Sequence, residues 1–324
     1  MPSSDHAVSP PTFIVARDPE APPAGLEGAV VAIGNFDGLH RGHRGVVARA
    51  QALAKKLGKP CALLTFEPHP ADIFAGRPVI FRLTPPQAKA AQAARLGLDG
   101  MIVLSFNRDF AARPAVNFTQ EILARRLGVS AVVAGYDFRF GAGRAGDADF
   151  LRAEGARLGF AVEIVDRITQ DEEGSLDAVS STATREALEK GDVALARRLL
   201  GHPYFVRGLV RHGDKRGRLL GFPTANIALD PSNRLRHGIY AVTMAVDGVL
   251  RDGVANFGRR PTFDNGPPLL EVFVFDFSGD LYGKEVEVAF HGFIRGEEKF
   301  DSVEALIAQM EDDSAKARGM LKGR

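Results

Sequence analysis

The 324 residues hold a single cysteine, Cys61, so no intrachain disulfide can form. One thiol suits a reducing compartment, and the chain has neither a CxxC pair nor a Cys/His spacing of the kind that holds a structural metal. Cys61 lies in the apolar run CALLTF and is expected to be a small core residue. Neither sign of charge dominates: 41 Lys and Arg stand against 40 Asp and Glu, a formal net charge of +1. That balance excludes a broad electrostatic footprint for nucleic acid or anionic lipid, so any phosphate recognition has to be local. No window approaches the ~20 apolar residues that a membrane span needs. Residues 1–25 have no basic start and no long apolar stretch, so no signal peptide is expected there, and their prolines predict a loose arm. These absences predict a cytoplasmic protein with no membrane or nucleic-acid partner; protein partners stay open.

What is present is ordinary soluble composition, 45% hydrophobic and 25% charged, in a chain long enough for two cores. From Gly28 to about Arg167, short apolar runs at 29–36, 61–66, 100–106, 129–135 and 160–166 alternate with helical spacing at 43–57, 85–97, 115–127 and 147–158. Several helical stretches stop at Leu-Gly. Strands alternating with helices predict right-handed βαβ units and a parallel sheet, whose ligands sit at the carboxyl ends of strands. A further helix is predicted over 182–200, stopped by Gly201-His202-Pro203. After it, segments 204–211, 238–246, 249–256, 269–277 and 285–291 are β-rich, and Asp247-Gly248 is a hairpin signal. No helix intervenes until about Phe300, after which SVEALIAQMEDDSAKARGML is amphipathic. The second half therefore predicts a small antiparallel barrel closed by a C-terminal helix.

The first strand runs straight into GNFDGLHRGH, residues 34–43. Glycines at a strand-to-helix turn let backbone approach a ligand, and a helix N-terminus offers N–H donors to an anion. It is not a P-loop, because GxxxxGK[ST] is missing from the chain. His40 and His43, three apart on a starting helix, share one face and can both donate to one phosphate. Surface histidines or half of a zinc site would explain the pair less well, given Gly34 and Gly38 in front of it and no third ligand at a recognisable spacing. Val179-Ser180-Ser181-Thr182-Ala183-Thr184-Arg185 opens the last helix of this half, where Ser180 to Thr182 resemble caps and Arg185 is either a solvated residue or a phosphate ligand.

GxFDGxHxGH together with SSTxxR resembles the signature of the nucleotidylyltransferase superfamily. The resemblance implies that His40, His43 and Arg185 act on ATP phosphates, with Gly34, Phe36, Asp37, Gly38, Ser181 and Thr182 around the nucleotide. TFEPHP (65–70) and GYDFRFG (135–141) resemble the flavin-handling loops of the bacterial bifunctional riboflavin kinase/FMN adenylyltransferases, or FAD synthetases. On that resemblance His69, Asp137 and Phe138 face flavin, although several members have Asn where Asp137 stands. The same stretch holds a rival: Gly141 to Gly146 spells GxGxxG, with Asp166 following at the spacing of a dinucleotide fingerprint. Five residues separate Gly141 from the end of its strand, so a dinucleotide-dependent oxidoreductase is the weaker alternative.

In the second half Gly213, Gly217 and Gly221 recur every four residues amid Arg211, Lys215, Arg216 and Arg218. A bare charge run is usually a solvated loop, and no aromatic pattern supports an RNA module here. GFPTAN (221–226) resembles the riboflavin kinase motif, although a plain strand after a Gly-Pro turn would also fit. The resemblance makes Gly213, Gly217, Gly221, Pro223, Thr224 and Asn226 nucleotide contacts and Thr224 and Asn226 the Mg²⁺ ligands. HGIYAV (237–242), ANFGRRPTF (255–263), LEVFVFDF (270–277), DLYG (280–283) and FIRGEEKF (293–300) follow in the family's order. Glu271 occupies the family's catalytic-base position, and Arg295 its flavin side, where Gly296 replaces a common proline. The resemblance implies a Rossmann-like FMN adenylyltransferase domain over 26–186, a linker helix over 187–202 and a riboflavin kinase barrel over 203–324. It implies ATP and Mg²⁺, riboflavin and FMN as substrates, and FAD as product. A nucleotidylyltransferase for another substrate, with the barrel as a flavin sensor, is the remaining rival.

Overall fold

A computed structural model describes residues 12–168, 170–171, 174–175, 179–213, 217, 220–258 and 268–323. Packing divides the chain into two compact units, Met1–Val79 with Lys89–Ile168 and Ile80–Ala88 with Thr169–Arg324. Among the described residues no helix is long and apolar enough to cross a membrane.

The first unit contains β1 (Ile14–Arg17), β2 (Val30–Ile33), α1 (Arg41–Leu57), β3 (Cys61–Glu67), α2 (Pro70–Ala75), α3 (Pro86–Arg95, of which Lys89 onward belongs here), β4 (Gly100–Ser105), α4 (Arg108–Ala111), α5 (Ala115–Asn117), β5 (Ala131–Gly135), α6 (Ala148–Leu158) and β6 (Ala161–Val165). Its sheet has six strands in the order β1-β4-β3-β2-β5-β6, all parallel. β2 and β3 are buried along their whole length, as strands covered on both faces must be. The chain steps outward from β2 through β3 to β4, then crosses back past β2 to β5. The order therefore reverses between β2 and β5, and a ligand crevice opens at their carboxyl ends. The Leu-Gly stops at the ends of α1 and α6 hold: Gly58 and Gly159 take the left-handed conformation, with φ of 63° and 87°.

Two expectations need correction here. The proline-rich start is not loose throughout, because Ile14–Arg17 pairs with β4 as an edge strand. Its apolar run was short enough to be overlooked, and Gly100 leaves room for it: a Cβ there would lie 2.7 Å from the Ile14 carbonyl oxygen. The helix expected over 115–127 is one turn of α-helix followed by a π-helix, Phe118–Arg126, closed by a Leu127 N–H bond to the Ile122 carbonyl five residues back.

The second unit begins with a short ribbon of β7 (Gln170–Asp171) and β8 (Gly174–Ser175), then α7 (Ser181–Glu189) and α8 (Val193–Leu200). β9 (Tyr204–Arg211), β10 (Thr224–Ala228), β11 (Gly238–Val246), β12 (Val249–Gly258), β13 (Leu269–Val274) and β14 (Glu285–Arg295) close an antiparallel barrel in the order β10-β13-β12-β11-β14-β9. α9 (Val303–Leu321) follows, capped by the Ser302 hydroxyl, which accepts from Ala305 N–H. The GFPTAN segment does contribute a strand, β10. Asp247 and Gly248, at φ 50° and 78°, form the two-residue turn between paired Val246 and Val249.

The single helix expected over 182–200 is two. Gly191 turns left-handed at φ 80°, and the Asp192 carboxylate accepts from Leu195 N–H to start α8 afresh. Ala187, Leu188, Val193, Ala196 and Leu200 of these helices join Phe81, Tyr204, Tyr240 and Phe290 in one apolar cluster with the barrel interior. The helices therefore complete the core of the second unit. Lys215, Arg216, Arg218 and residues 259–263 of ANFGRRPTF lie outside the described residues.

Candidate active sites

In the first unit the loop after β2 enters the switch-point crevice. Gly34 N–H bonds to the Leu64 carbonyl at 3.1 Å, and the chain then takes left-handed φ at Phe36 (49°), Gly38 (87°) and Leu39 (44°). Bulky residues rarely adopt that region, and here burial of both the Phe36 and Leu39 side chains enforces it. Asp37 is buried between them in sequence. The loop delivers His40 as the N-cap of α1, where its Nδ1 accepts from His43 N–H at 3.3 Å. An accepting Nδ1 puts the proton of the neutral ring on Nε2. The His40 and His43 rings stack at 3.6 Å and 15°, and His43 meets the Phe36 ring edge-on at 5.1 Å. Two parallel imidazoles thus stand at the positive end of a helix of 17 residues.

The flavin-side expectations have mixed placement. His69 is the N-cap of α2, its Nδ1 accepting from Ala71 N–H at 3.2 Å, so that nitrogen serves the helix. Asp137 is exposed after β5, and Phe138 stacks on Phe140 at 5.5 Å and 20°. An aromatic chain not foreseen from the sequence runs along the carboxyl ends of β3, β4 and β5. Phe74, 66% exposed, meets Phe106, which meets Phe110, then Phe118, then Phe140, with successive centroids 5.4–6.2 Å apart. The signal was available in phenylalanines clustered just after each strand, in FEPHPADIF, SFNRDF and DFRFG.

The GxGxxG at 141–146 is not a dinucleotide fingerprint. Phe140 and Gly146 exchange backbone hydrogen bonds at 3.1 and 2.9 Å, closing the segment on itself away from any strand-to-helix turn. Its glycines serve packing: a Cβ at Gly141 would lie 2.6 Å from Ala115 backbone, and one at Gly146 would lie 2.7 Å from the Phe140 ring.

In the second unit Ser180 is the cap of α7, its hydroxyl accepting from Ala183 N–H at 3.1 Å. Ser181 and Thr182 are instead the first helical residues, where backbone N–H groups lack intrahelical partners. Arg185 Nε donates to the Phe81 carbonyl at 2.7 Å, which fixes the side chain's direction.

The barrel carries a cavity of about 510 Å³ lined by Gly213, Pro223, Thr224, Asn226, Asp280 and Tyr282, among others. Close approach explains the glycines. A Cβ at Gly213 would sit 2.4 Å from Asn226 Nδ2, and one at Gly217 would sit 2.3 Å from the Phe222 carbonyl oxygen. Gly221 is left-handed at φ 87° just before Phe222-Pro223. Register places Glu271 between Asn226 of β10 and Asn256 of β12, so the three side chains share one face. Alternation along β13 buries Leu270 and Val272 inside the barrel and leaves Glu271 half-buried on the other face. His212 stacks on Tyr282 at 3.8 Å beside the cavity, a pair the sequence analysis did not single out. Arg295 makes a bidentate pair with buried Asp313 of α9, at 2.9 and 2.7 Å, and its Nη1 donates to the Gly296 carbonyl. Its guanidinium therefore ties α9 to the end of β14.

Thr224 and Asn226, two apart on one strand, present a hydroxyl and an amide to the same side. The amide nitrogen turns toward the Thr224 carbonyl at 3.5 Å. Neutral hard oxygens in the wall of this cavity fit Mg²⁺, which shares its coordination shell with nucleotide phosphates. Among the described residues no group of three or more His, Cys, Asp or Glu gathers around a metal-sized point.

A parallel sheet with paired histidines at its switch point, and a barrel whose cavity is walled by Thr224 and by Asn226, the latter in register with the carboxylate-bearing Glu271, define a two-site enzyme of phosphoryl and nucleotidyl transfer. The FAD synthetase family matches residues 23–183 and the riboflavin kinase family residues 200–321. The bifunctional riboflavin kinase/FMN adenylyltransferase of Pseudomonas fluorescens is 42% identical over 296 residues, covering 90% of this chain and 93% of that protein. The Escherichia coli K12 protein of that name is 41% identical over 90% of this chain and 92% of its own length, and that of Bacillus subtilis 37% over 89% and 91%. A solved structure described as a macrolide-efflux protein from Streptococcus pneumoniae superposes with a TM-score of 0.80 at 31% identity, covering 94% of this chain and 99% of that one. The chain belongs to the family of bifunctional riboflavin kinase/FMN adenylyltransferases.

Proposed function

We propose that the chain phosphorylates riboflavin to FMN at the barrel and adenylylates FMN to FAD at the parallel sheet, with the residues assigned below. ATP and Mg²⁺ serve both steps. What supports the assignment is where each motif set falls: His40 caps the helix at the switch point with the His43 ring stacked on it, and Glu271 lies in register with Asn226.

In the kinase step Glu271 accepts the proton of riboflavin's primary hydroxyl as that oxygen bonds to the γ-phosphorus and the bond to ADP breaks. Gly213, Gly217, Gly221 and Pro223 let backbone close around the phosphates. Thr224 and Asn226 would hold Mg²⁺, which would offset charge on the transferring group. Arg295, tied to Asp313, sets the end of β14 on the flavin side.

In the adenylyl step an oxygen of the FMN phosphate bonds to the α-phosphorus and pyrophosphate leaves, with no covalent enzyme intermediate. His40 and His43 donate to the phosphoryl oxygens, and the positive end of α1 adds its dipole. Gly34, Phe36, Asp37 and Gly38 shape the loop that carries them. Ser181, Thr182 and Arg185 enter on motif resemblance alone. Phe74, Phe106 and Phe138 offer apolar ring faces to an isoalloxazine, with Asp137 and His69 for its polar rim. The fragment boundaries 26–186, 187–202 and 203–324 are proposed as functional limits, and the cytoplasm as the setting on the strength of the lone buried thiol.

The test is direct. Full-length protein is incubated with riboflavin, ATP and Mg²⁺, and the flavins are separated over time. FMN should appear first and FAD after it; unchanged riboflavin, together with no FAD from supplied FMN, would sink the proposal.

A further inference from the structure

Beneath the Gly34–Leu39 loop lies a buried polar group that neither reaction above employs. Lys89 of α3 is 2% exposed, Glu67 at the end of β3 5%, and Thr65 0%. Lys89 Nζ donates to the Asn35 carbonyl at 2.8 Å, to Thr65 Oγ1 at 3.2 Å and to Glu67 Oε1 at 3.0 Å. The Thr65 hydroxyl donates in turn to the same Asn35 carbonyl at 3.0 Å. An ammonium has three donors, a carbonyl oxygen two lone pairs and a hydroxyl one donor, so the set matches donor for acceptor.

Lysine is almost never buried this deeply without a partner, and Glu67 supplies the charge. Glu67 alone would account for an ion pair. It does not account for the two bonds that converge on one backbone carbonyl in the loop. Asn35 directly precedes Phe36, the first of the left-handed residues, so its carbonyl fixes the peptide plane from which the strained turn departs. Strain of this kind persists only where surrounding contacts over-determine it, and an error of 1 Å at a catalytic group is costly. We infer that Lys89 is a positioning residue for FAD formation: with Thr65 it clamps the Asn35 carbonyl and so sets where the loop delivers His40 and His43. This rests on the assignment of that loop to the ATP phosphates.

The test uses full-length variants supplied with FMN, ATP and Mg²⁺, with riboflavin phosphorylation measured in the same preparations. Thr65→Val keeps the shape and removes one of the two bonds to Asn35; kcat for FAD formation should fall about tenfold with the KM for FMN unchanged. Thr65→Ser, which keeps the hydroxyl, should recover most of that loss. The double variant Lys89→Met with Glu67→Gln removes the clamp without leaving a bare buried charge, and kcat should fall at least about a hundredfold. FMN formation should stay within about twofold of wild type throughout. Wild-type kcat in Thr65→Val or in the folded double variant overturns the inference, as does a loss that Thr65→Ser shares in full. If the double variant fails to fold, the two Thr65 variants decide. His43→Ala run alongside separates the causes: if it also keeps full FAD formation, the loop was wrongly assigned, whereas its loss beside active Thr65 and Lys89 variants refutes the clamp alone.

Discussion

In the first unit the loop after β2 is held in rare conformations by bulky buried residues, Phe36 and Leu39, and clamped from below by Lys89. In the barrel the corresponding backbone is lined by glycines whose missing side chains make room for Asn226 and the Phe222 carbonyl. The first site is positioned by a core built underneath it, the second by strand register and by absent atoms. A site built on packing transmits core damage to chemistry, whereas a site built on register tolerates it until the barrel itself opens.

Crossed losses of activity break or confirm this contrast most sharply. Glu271→Gln should reduce riboflavin phosphorylation by roughly 10²–10⁴-fold and leave adenylylation of supplied FMN intact. His43→Ala should reduce FAD formation by roughly 10²–10³-fold and spare FMN formation. Loss of both activities in either folded variant would mean that the sites are not independent.

A smaller effect concerns the boundary between the units. Leu200 is buried with Tyr204 and Phe290 in the barrel-side core, so Leu200→Ala should destabilise the second unit by about 2–5 kcal/mol. Calorimetry should show that unit's transition lowered and the first unit's unmoved. For the same reason a fragment starting near Ser180 should phosphorylate riboflavin more robustly than one starting at Pro203, which lacks α7 and α8. Equal stability of the two fragments would support 203 as the limit of the kinase domain.

Gly213→Ala sharpens the account of the glycine-lined cavity. The added methyl would meet Asn226 at 2.4 Å, and kinase kcat/KM should drop about tenfold while FAD formation from FMN holds. Steady-state rates of both reactions check it. The smallest effect is at Cys61, where burial first, and then the Asp99 carboxylate, push the thiol up to about 12. Thiol reagents should leave the native protein untouched at pH 8 and label it only on unfolding. Because the folded thiol stays protonated while the unfolded one ionises near ~8.5, stability should fall as pH rises from there toward 12, and denaturant titrations at pH 8 and 10 would register it.

Much of this was legible in the chain. Both sheet types, the hairpin at Asp247-Gly248 and the two motif sets announce themselves through period, turn chemistry and spacing, which are local properties. The aromatic chain from Phe74 to Phe140 was legible only as phenylalanines following strands; that they touch was not, because its members come from four separate segments that the sheet order brings together. Lys89 reads in sequence as an ordinary helix lysine, and nothing nearby hints that it is buried.

The sequence by itself determined most of the segments that become strands and helices, where the two motif sets lie and which family the chain resembles, since each depends on residues within a few positions of one another. Tertiary structure alone decided that α7 and α8 complete the barrel core, and that Glu271 stands in a row with Asn226 and Asn256. It alone decided that Lys89 meets Asn35 and that Gly141 and Gly146 serve packing. These are contacts between distant segments, and their energies depend on burial and register that no local pattern encodes.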